Sequence, residues 1–186
     1  MQLKGGVLMA KSKLTIFILT CLFVFSLLGC SKENTDQDKH INPVSKTDAM
    51  MEITNAYVTE YLGLTDAAVT LGNQLSAYRL SDGKLQTIDY EIYPVFAEEK
   101  IVAFTTCFQS DTGEYLPGCG VTYAEAFWQA YSEQPGTAIA LVYAQEGAYL
   151  VREGEVPVLL HKMPIEGCDS IQELEKCRSS LVYTVI

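Results

Sequence analysis

The side chains with the clearest chemical potential in this sequence are its cysteines and histidines, six and two in number. His161, Cys168 and Asp169 form the closest grouping of a base, a nucleophile and an acid. Catalysis by a cysteine needs a thiolate within reach of a base, and nearness in sequence does not establish that geometry. Zinc binding by His161, Cys168 and Cys177 would need a spacing unlike ordinary zinc motifs. We therefore predict no catalytic residue and no metal site.

Motifs for other chemistries are missing from the sequence. It contains no G-x-S-x-G, H-E-x-x-H, phosphate-binding loop or G-x-G-x-x-G motif. Acidic residues gather in the predicted turns, but without the D-x-D-x-D-G spacing of a calcium loop. We predict that no cofactor is bound.

The charge of the chain excludes one large class of partners. The formal net charge is −10, and residues 1–30 hold three lysines and no acid, so the remainder carries −13. Nucleic-acid binding depends on neutralising phosphates with lysine and arginine, so nucleic acid is a poor partner. The rest of the composition, with 48% hydrophobic and 19% charged residues, is that of a globular protein.

The first thirty residues have the layout of an export signal. A basic start is followed by an apolar run at residues 14–28, shorter than the ~20 residues that a membrane-spanning helix needs. The tetrapeptide Leu27-Leu28-Gly29-Cys30 then resembles the lipobox of bacterial lipoproteins. The resemblance implies cleavage before Cys30 and a lipid on its thiol, which would hold the protein at the outer face of a bacterial membrane. The alternatives are an uncleaved anchor with an incidental Cys30, and a translation start at Met9 instead of Met1.

We expect three regions along the chain. Residues 1–29 form the signal peptide, residues 30–46 the lipidated cysteine and a polar tether, and residues 47–186 a single α+β domain. The tether has too little apolar surface to order itself, so we interpret His40 within it as a solvated residue.

Hydrophobic periodicity predicts the elements of the domain. Helical spacing relates Met50, Ile53, Tyr57 and Tyr61, and Thr65 suits the cap of a short second helix. Alternation over residues 86–96 predicts a strand that ends, bulges or lies on an edge near Pro94. Asp82-Gly83 and residues 111–113 predict hairpins, and Thr122 and Ser170 suit capping boxes. Further strands are expected at residues 101–108, 115–121, 138–143, 148–152, 156–161 and 181–186. The predicted architecture is α+β: an antiparallel meander with helices packed on one face.

An exported domain with four cysteines suggests two disulfides. Cys107 and Cys119 are symmetric about Gly113, which would place them opposite each other in the predicted hairpin. That favours Cys107–Cys119 and leaves Cys168–Cys177, although the sequence allows other pairings.

Tyr90, Tyr93 and Tyr115 lie on the predicted meander near its turns, and we interpret them as a possible binding surface because tyrosine suits contact with ligands. Our leading hypothesis is a lipid-anchored extracytoplasmic domain that binds a small ligand or a protein without catalysis. One alternative is an inhibitor or propeptide-like module that acts on a secreted peptidase by strand addition. Another is an envelope hydrolase that uses cysteine and histidine.

Overall fold

The computed structural model describes residues 45–186. The predicted signal peptide, the predicted lipidation site Cys30 and the tether up to residue 44 lie outside the described residues. The described part is an α+β unit with two sheets, which confirms the predicted fold class. Its strands are β1 (Val69–Leu71), β2 (Ala77–Ser81), β3 (Lys84–Thr87), β4 (Glu91–Ala97), β5 (Lys100–Gln109), β6 (Tyr115–Gly120), β7 (Ile139–Ala144), β8 (Gly147–Arg152) and β9 (Val158–Lys162).

The first helix, α1, spans Lys46–Ala56 and continues as a π-helical turn over Tyr57–Tyr61. Ser45 caps the helix, because its hydroxyl accepts a hydrogen bond from the backbone N–H of Asp48. The negative charge of Asp48 in the first turn further stabilises the positive end of the helix dipole.

The buried face of α1 differs from the predicted one. Met50, Thr54 and Val58 are buried, each one turn after the last. The Thr54 hydroxyl donates to the Met50 carbonyl at 2.6 Å and lies 2.5 Å from the buried Thr105 hydroxyl on β5. Thr54 faces inward because the underlying sheet offers this polar partner. The predicted stripe therefore contributes only Met50 to the fully buried face, and its other members lie outside that face: Ile53, Tyr57 and Tyr61.

The first sheet, sheet A, has the strand order β1-β4-β5-β6 and is antiparallel. Strands β4, β5 and β6 form a meander, with one turn at residues 98–99 and another at the hairpin expected around residues 111–113. The short helix expected after Thr65 is wrong, because residues 65–66 form a turn and the chain then enters β1. Of the three outcomes expected near Pro94, the structure has the bulge: the register shifts between Val95 and Phe96.

The second sheet, sheet B, has the strand order β3-β2-β7-β8-β9, and all its pairs are antiparallel except the parallel pair β2–β7. Asp82 and Gly83 join β2 to β3 with φ values of 53° and 66°. Two successive positive φ angles are typical of a type I′ turn, so the predicted hairpin is confirmed. Residues 86–96, which we predicted as one strand, are divided between β3 in sheet B and β4 in sheet A.

The second helix, α2, spans Ala124–Ser132 and buries an aromatic stripe with Phe127 at its centre. Its core cluster holds apolar side chains from both sheets, so α2 contributes to the core that the two sheets share. Helix α1 lies against the opposite face of sheet A, where Val58 packs with Val95 and Ala103. The capping box expected at Thr122 is wrong, because the cap residue is Tyr123 and its side chain makes no cap bond.

The C-terminal segment covers the other face of sheet B. It contains 3₁₀ turns over Ile171–Lys176 and Arg178–Ser180, and Leu174 and Leu181 lie in the core cluster there. The capping box predicted at Ser170 is wrong, because the Ser170 side chain makes no cap bond. Its hydroxyl instead donates to the Glu146 carboxylate, which also accepts the Ile171 N–H. The last predicted strand is reduced to one bridge between Thr184 and Ile139.

Candidate functional site

Residues 88–90 connect the two sheets. Strand β3 ends at Thr87 on the edge of sheet B, and β4 begins at Glu91 inside sheet A. The Ile88 N–H donates to the Ala77 carbonyl at 3.3 Å, and the side chains of Ile88 and Tyr90 pack against the shared core. The connection is therefore fixed in place at the junction of the two sheets.

Sheet B carries a row of polar side chains at this junction. Arg79 on β2 pairs with Gln86 on β3 and with Tyr143 on β7. Directly paired residues of neighbouring strands share one face of a sheet. Two residues earlier in the same strands, Ala77 pairs with Leu141, and both belong to the core cluster around α2. The row therefore lies on the core-facing side of the sheet, just beyond the part that the core covers.

Three tyrosines meet beside this row. The Tyr143 and Tyr123 hydroxyls are 2.8 Å apart, which joins sheet B to the cap residue of α2. Tyr90 packs against the same core cluster as Tyr123 and Tyr143. Burial raises the pKa of Tyr123 to about 12, and burial together with the Tyr123 contact raises the pKa of Tyr143 still more. These phenols stay protonated at neutral pH, so they serve as hydrogen-bonding groups and do not supply a base.

A cleft opens on these residues, which we call the junction cleft. Its volume is about 500 Å³, within the range of small-molecule sites. Charged and polar side chains share its wall with apolar ones: Arg79, Gln86, Asp89, Tyr90, Tyr143, Ile88, Met163 and Ile165. A second, shallower space of about 380 Å³ lies along the same connection and shares Tyr90 and Asp89 with the junction cleft. The combination suits a small ligand with both polar and apolar parts.

The structure separates the three tyrosines that we expected to form one surface. Tyr90 lines the junction cleft. Tyr93 is half-buried on sheet A, where its hydroxyl contacts Glu91 at 2.8 Å and Lys46 at 3.1 Å. Tyr115 is exposed at the start of the edge strand β6, paired with Gln109. Only Tyr90 contributes to the cleft.

Tyr93 belongs to a structural network that holds the beginning of α1 on sheet A. The Lys46 ammonium forms an ion pair with Glu91 and lies 5.5 Å from the centre of the Tyr93 ring. The hydrogen bond to Glu91 raises the pKa of Lys46. Burial acts to raise the pKa of Glu91, but the bonds from Lys46 and Tyr93 outweigh it and lower that pKa. The network fixes the point at which the chain enters the described domain.

The predicted opposition of Cys107 and Cys119 is wrong in register. Cys107 pairs with Pro117, and Cys119 pairs with Thr105. The turn closes on Ser110 and Glu114, since Ser110 N–H donates to the Glu114 carbonyl at 2.9 Å, and the hairpin is therefore centred one residue before Gly113. Cys107 and Cys119 become diagonal neighbours, whose typical spacing of ~7–8 Å exceeds what a disulfide spans.

All four cysteines of the described domain are free thiols. Burial raises the pKa of Cys107, Cys119 and Cys177, which disfavours the reactive thiolate form of each. The two disulfides remain predictions, and the expected Cys107–Cys119 bridge requires β6 to move by two residues relative to β5.

The grouping of His161, Cys168 and Asp169 is not assembled as a catalytic triad. His161 lies half-buried on β9 and Cys168 half-buried in the following loop. The Asp169 carboxylate accepts the Gly83 N–H at 2.6 Å, so it orders the β2–β3 turn. Within residues 45–186 no hydrogen bond joins the three side chains, and no group of His, Cys, Asp and Glu is placed to hold a metal ion.

Sequence reasoning missed the residues that matter most in the junction cleft. Arg79, Asp89 and Tyr143 lie on three separate segments, and the parallel pairing of β2 with β7 brings two of them together. An arginine in the middle of the short strand β2 and a tyrosine near the end of the apolar strand β7 were the available signal, but sequence alone does not predict which strands pair. None of the helices in the described part is long and apolar enough to cross a membrane.

No protein-family model matches the chain, and no curated protein matches it.

Proposed function

We propose that this protein is a lipid-anchored, extracytoplasmic binding protein whose domain takes a small ligand in the junction cleft. The observation that carries the proposal is the cleft itself, in which charged, phenolic and apolar side chains converge at a rigid junction of two sheets. A concave site with a few convergent polar groups is the usual form of a ligand site. The protonated tyrosines favour binding over acid–base chemistry.

The lipid anchor rests on the lipobox at Leu27-Leu28-Gly29-Cys30 and the preceding apolar run. Metabolic labelling with palmitate tests it in the full-length protein. We expect Cys30→Ala to abolish labelling and Cys21→Ala, a cysteine within the apolar run, to leave it intact. Unchanged labelling of Cys30→Ala would remove the anchor from the proposal. Anchoring by two or more acyl chains would be stable, whereas one chain alone binds marginally.

Ligand binding is tested by nuclear magnetic resonance with a fragment library and two matched variants. Gln86 and Lys84 are exposed residues two apart on β3, but only Gln86 lines the cleft. Gln86→Trp is expected to block fragments that shift the resonances of Tyr90 and Tyr143, and Lys84→Trp is expected to leave them bound. The assignment of the cleft as the ligand site would be contradicted if no fragment shifted the resonances of Tyr90 and Tyr143. It would also be contradicted if fragments bound equally well to both variants.

A second candidate function has its own observation. Strand β9 is the free edge of sheet B, and several large apolar side chains near it are exposed: Val156, Val158, Leu159 and Met163. An exposed apolar edge can accept a strand from another protein, which is how an inhibitor of a secreted peptidase could act. Inhibition that is lost in Leu159→Lys and retained in Leu116→Lys, on the edge strand β6, would favour this function.

A further inference from the structure

The junction cleft contains two opposite charges that do not neutralise each other. Arg79 and Asp89 both line it, yet they form no ion pair, and neither side chain bonds to any other residue between 45 and 186. The other arginines are fully engaged. Arg152 bonds the Ala130 carbonyl and Thr137, and Arg178 bonds two carbonyls and Glu175. Arg79 and Asp89 are both exposed to solvent in the cleft, so their charged groups are accessible to a ligand.

We infer that the junction cleft binds a small zwitterion, an α-amino acid with an apolar side chain. The inference rests on the proposed ligand-binding function of the cleft. The Arg79 guanidinium offers the forked donors that match a carboxylate, and the Asp89 carboxylate offers the acceptor for an ammonium group. A ligand that carries both groups can pair with both side chains, which form no ion pair with each other.

The remaining wall fits the rest of such a molecule. Ile88, Met163 and Ile165 give an apolar surface for the side chain. Methionine adapts its shape to different apolar partners, so the site suits a range of apolar amino acids. Gln86 and Tyr143, the strand neighbours of Arg79, add hydrogen-bonding groups around the carboxylate position.

The charge of the protein also favours a neutral zwitterion over an anion. Residues 31–186 carry a net charge of −13. Such a field repels multiply charged anions such as phosphate esters, and a single arginine does not reverse it. A zwitterion has no net charge to be repelled.

The test uses phenylalanine, leucine and methionine as zwitterions. Two analogues of phenylalanine retain one charge each: phenylalaninamide keeps the ammonium and 3-phenylpropanoate keeps the carboxylate. Binding to the folded protein is followed by calorimetry and by nuclear magnetic resonance. We expect at least one zwitterion to bind, and its single-charge analogues to bind about tenfold or more weakly, since one charged hydrogen bond is worth roughly that factor.

Three variants assign the charges. Arg79→Gln and Asp89→Asn are both expected to weaken zwitterion binding about tenfold. Lys84→Gln, a cation on the same hairpin outside the cleft, is expected to change nothing. If Asp89→Asn instead strengthens binding and 3-phenylpropanoate binds as well as phenylalanine, the ligand is a simple carboxylate and the inference is wrong.

Failure of the inference and failure of the proposed function give different results. Fragments that bind the cleft while Arg79→Gln has no effect refute the amino-acid ligand and leave the binding function intact. If no amino acid binds and no fragment is displaced by Gln86→Trp, both are refuted.

Discussion

Removing the hydroxyls of Tyr123 and Tyr143 tests how much their contact stabilises the junction of the two sheets. The two oxygens are 2.8 Å apart. We consider Tyr123→Phe, Tyr143→Phe and the double variant. Each change removes one oxygen and leaves the ring, so packing is preserved and the free energy of unfolding reports on the hydrogen bonds.

The arrangement predicts costs that do not add. Tyr123→Phe and Tyr143→Phe each break the hydroxyl pair and leave the other hydroxyl without its partner. A buried polar group without a partner costs about 1–3 kcal/mol, so we expect each single variant to lose about 1–2 kcal/mol. The double variant removes both hydroxyls and leaves neither unpaired, so it should lose less than the sum of the two single variants.

Urea unfolding measures these differences, provided that the dependence on urea concentration stays constant among variants. The double-mutant cycle should give a coupling of about 1 kcal/mol. Tyr115→Phe, on an exposed edge strand, is the control and should remain within about 0.5 kcal/mol of the parent. Single costs that add within about 0.3–0.5 kcal/mol in the double variant would refute the shared contact.

The same pair predicts a loss of stability at high pH. The pKa of Tyr123 rises from an unfolded value of about 10 to about 12 in the fold. The protonated phenol therefore stabilises the fold fully below pH ~10, and this stabilisation is lost as the pH rises toward ~12, because only the unfolded chain releases the proton in that window. Two pKa units correspond to about 2.7 kcal/mol at most. We expect the parent to unfold at a higher pH than Tyr143→Phe, because the variant starts from a lower stability. Circular dichroism measured across the alkaline range checks this difference.

Three further predictions concern the framework, each measured by thermal or urea unfolding. Gly147→Ala should abolish folding or cost about 4 kcal/mol or more, because a Cβ there would lie 1.9 Å from the His161 carbonyl oxygen and φ is 153°. Arg152→Met should cost about 2–3 kcal/mol, since Arg152 is 5% exposed and donates to the Ala130 carbonyl at the end of α2, which would lose its partner. Glu99→Gly should stabilise the domain by about 0.5–1 kcal/mol, because Glu99 has φ 62° and glycine adopts that conformation without strain.

The elements of local origin were predictable from the sequence. The hairpin at Asp82-Gly83 and the turn after residue 97 follow from residue types that accept positive φ or interrupt an apolar run. The bulge near Pro94 follows from its missing N–H. The aromatic stripe of α2 was also predictable, since helical spacing decides which side chains share a face.

Features that depend on tertiary partners were not predictable. Thr54 faces inward in place of Ile53, and its hydroxyl meets that of Thr105 on the sheet beneath. The capping box expected at Ser170 fails because Glu146, from a distant turn, takes the place of the local cap. The one expected at Thr122 fails because the cap residue of α2 is Tyr123, one position later. The register of Cys107 against Cys119 was missed because Ser110 and Glu114 close the turn one residue earlier than the symmetry about Gly113 indicates.

The division of residues 86–96 between two sheets explains why the candidate site was the least predictable part of the molecule. Alternating side chains before and after residues 88–90 have the period of one continuous strand, so the sequence contains no local sign that the chain leaves one sheet for another. That departure creates the junction cleft, because it ends β3 beside β2 while carrying Tyr90 toward sheet A. The parallel pairing of β2 with β7 then places Arg79 beside Tyr143, which is 64 positions later in the numbering of the chain. A site formed in this way depends on the topology of the fold, because its side chains come together only when the two sheets meet.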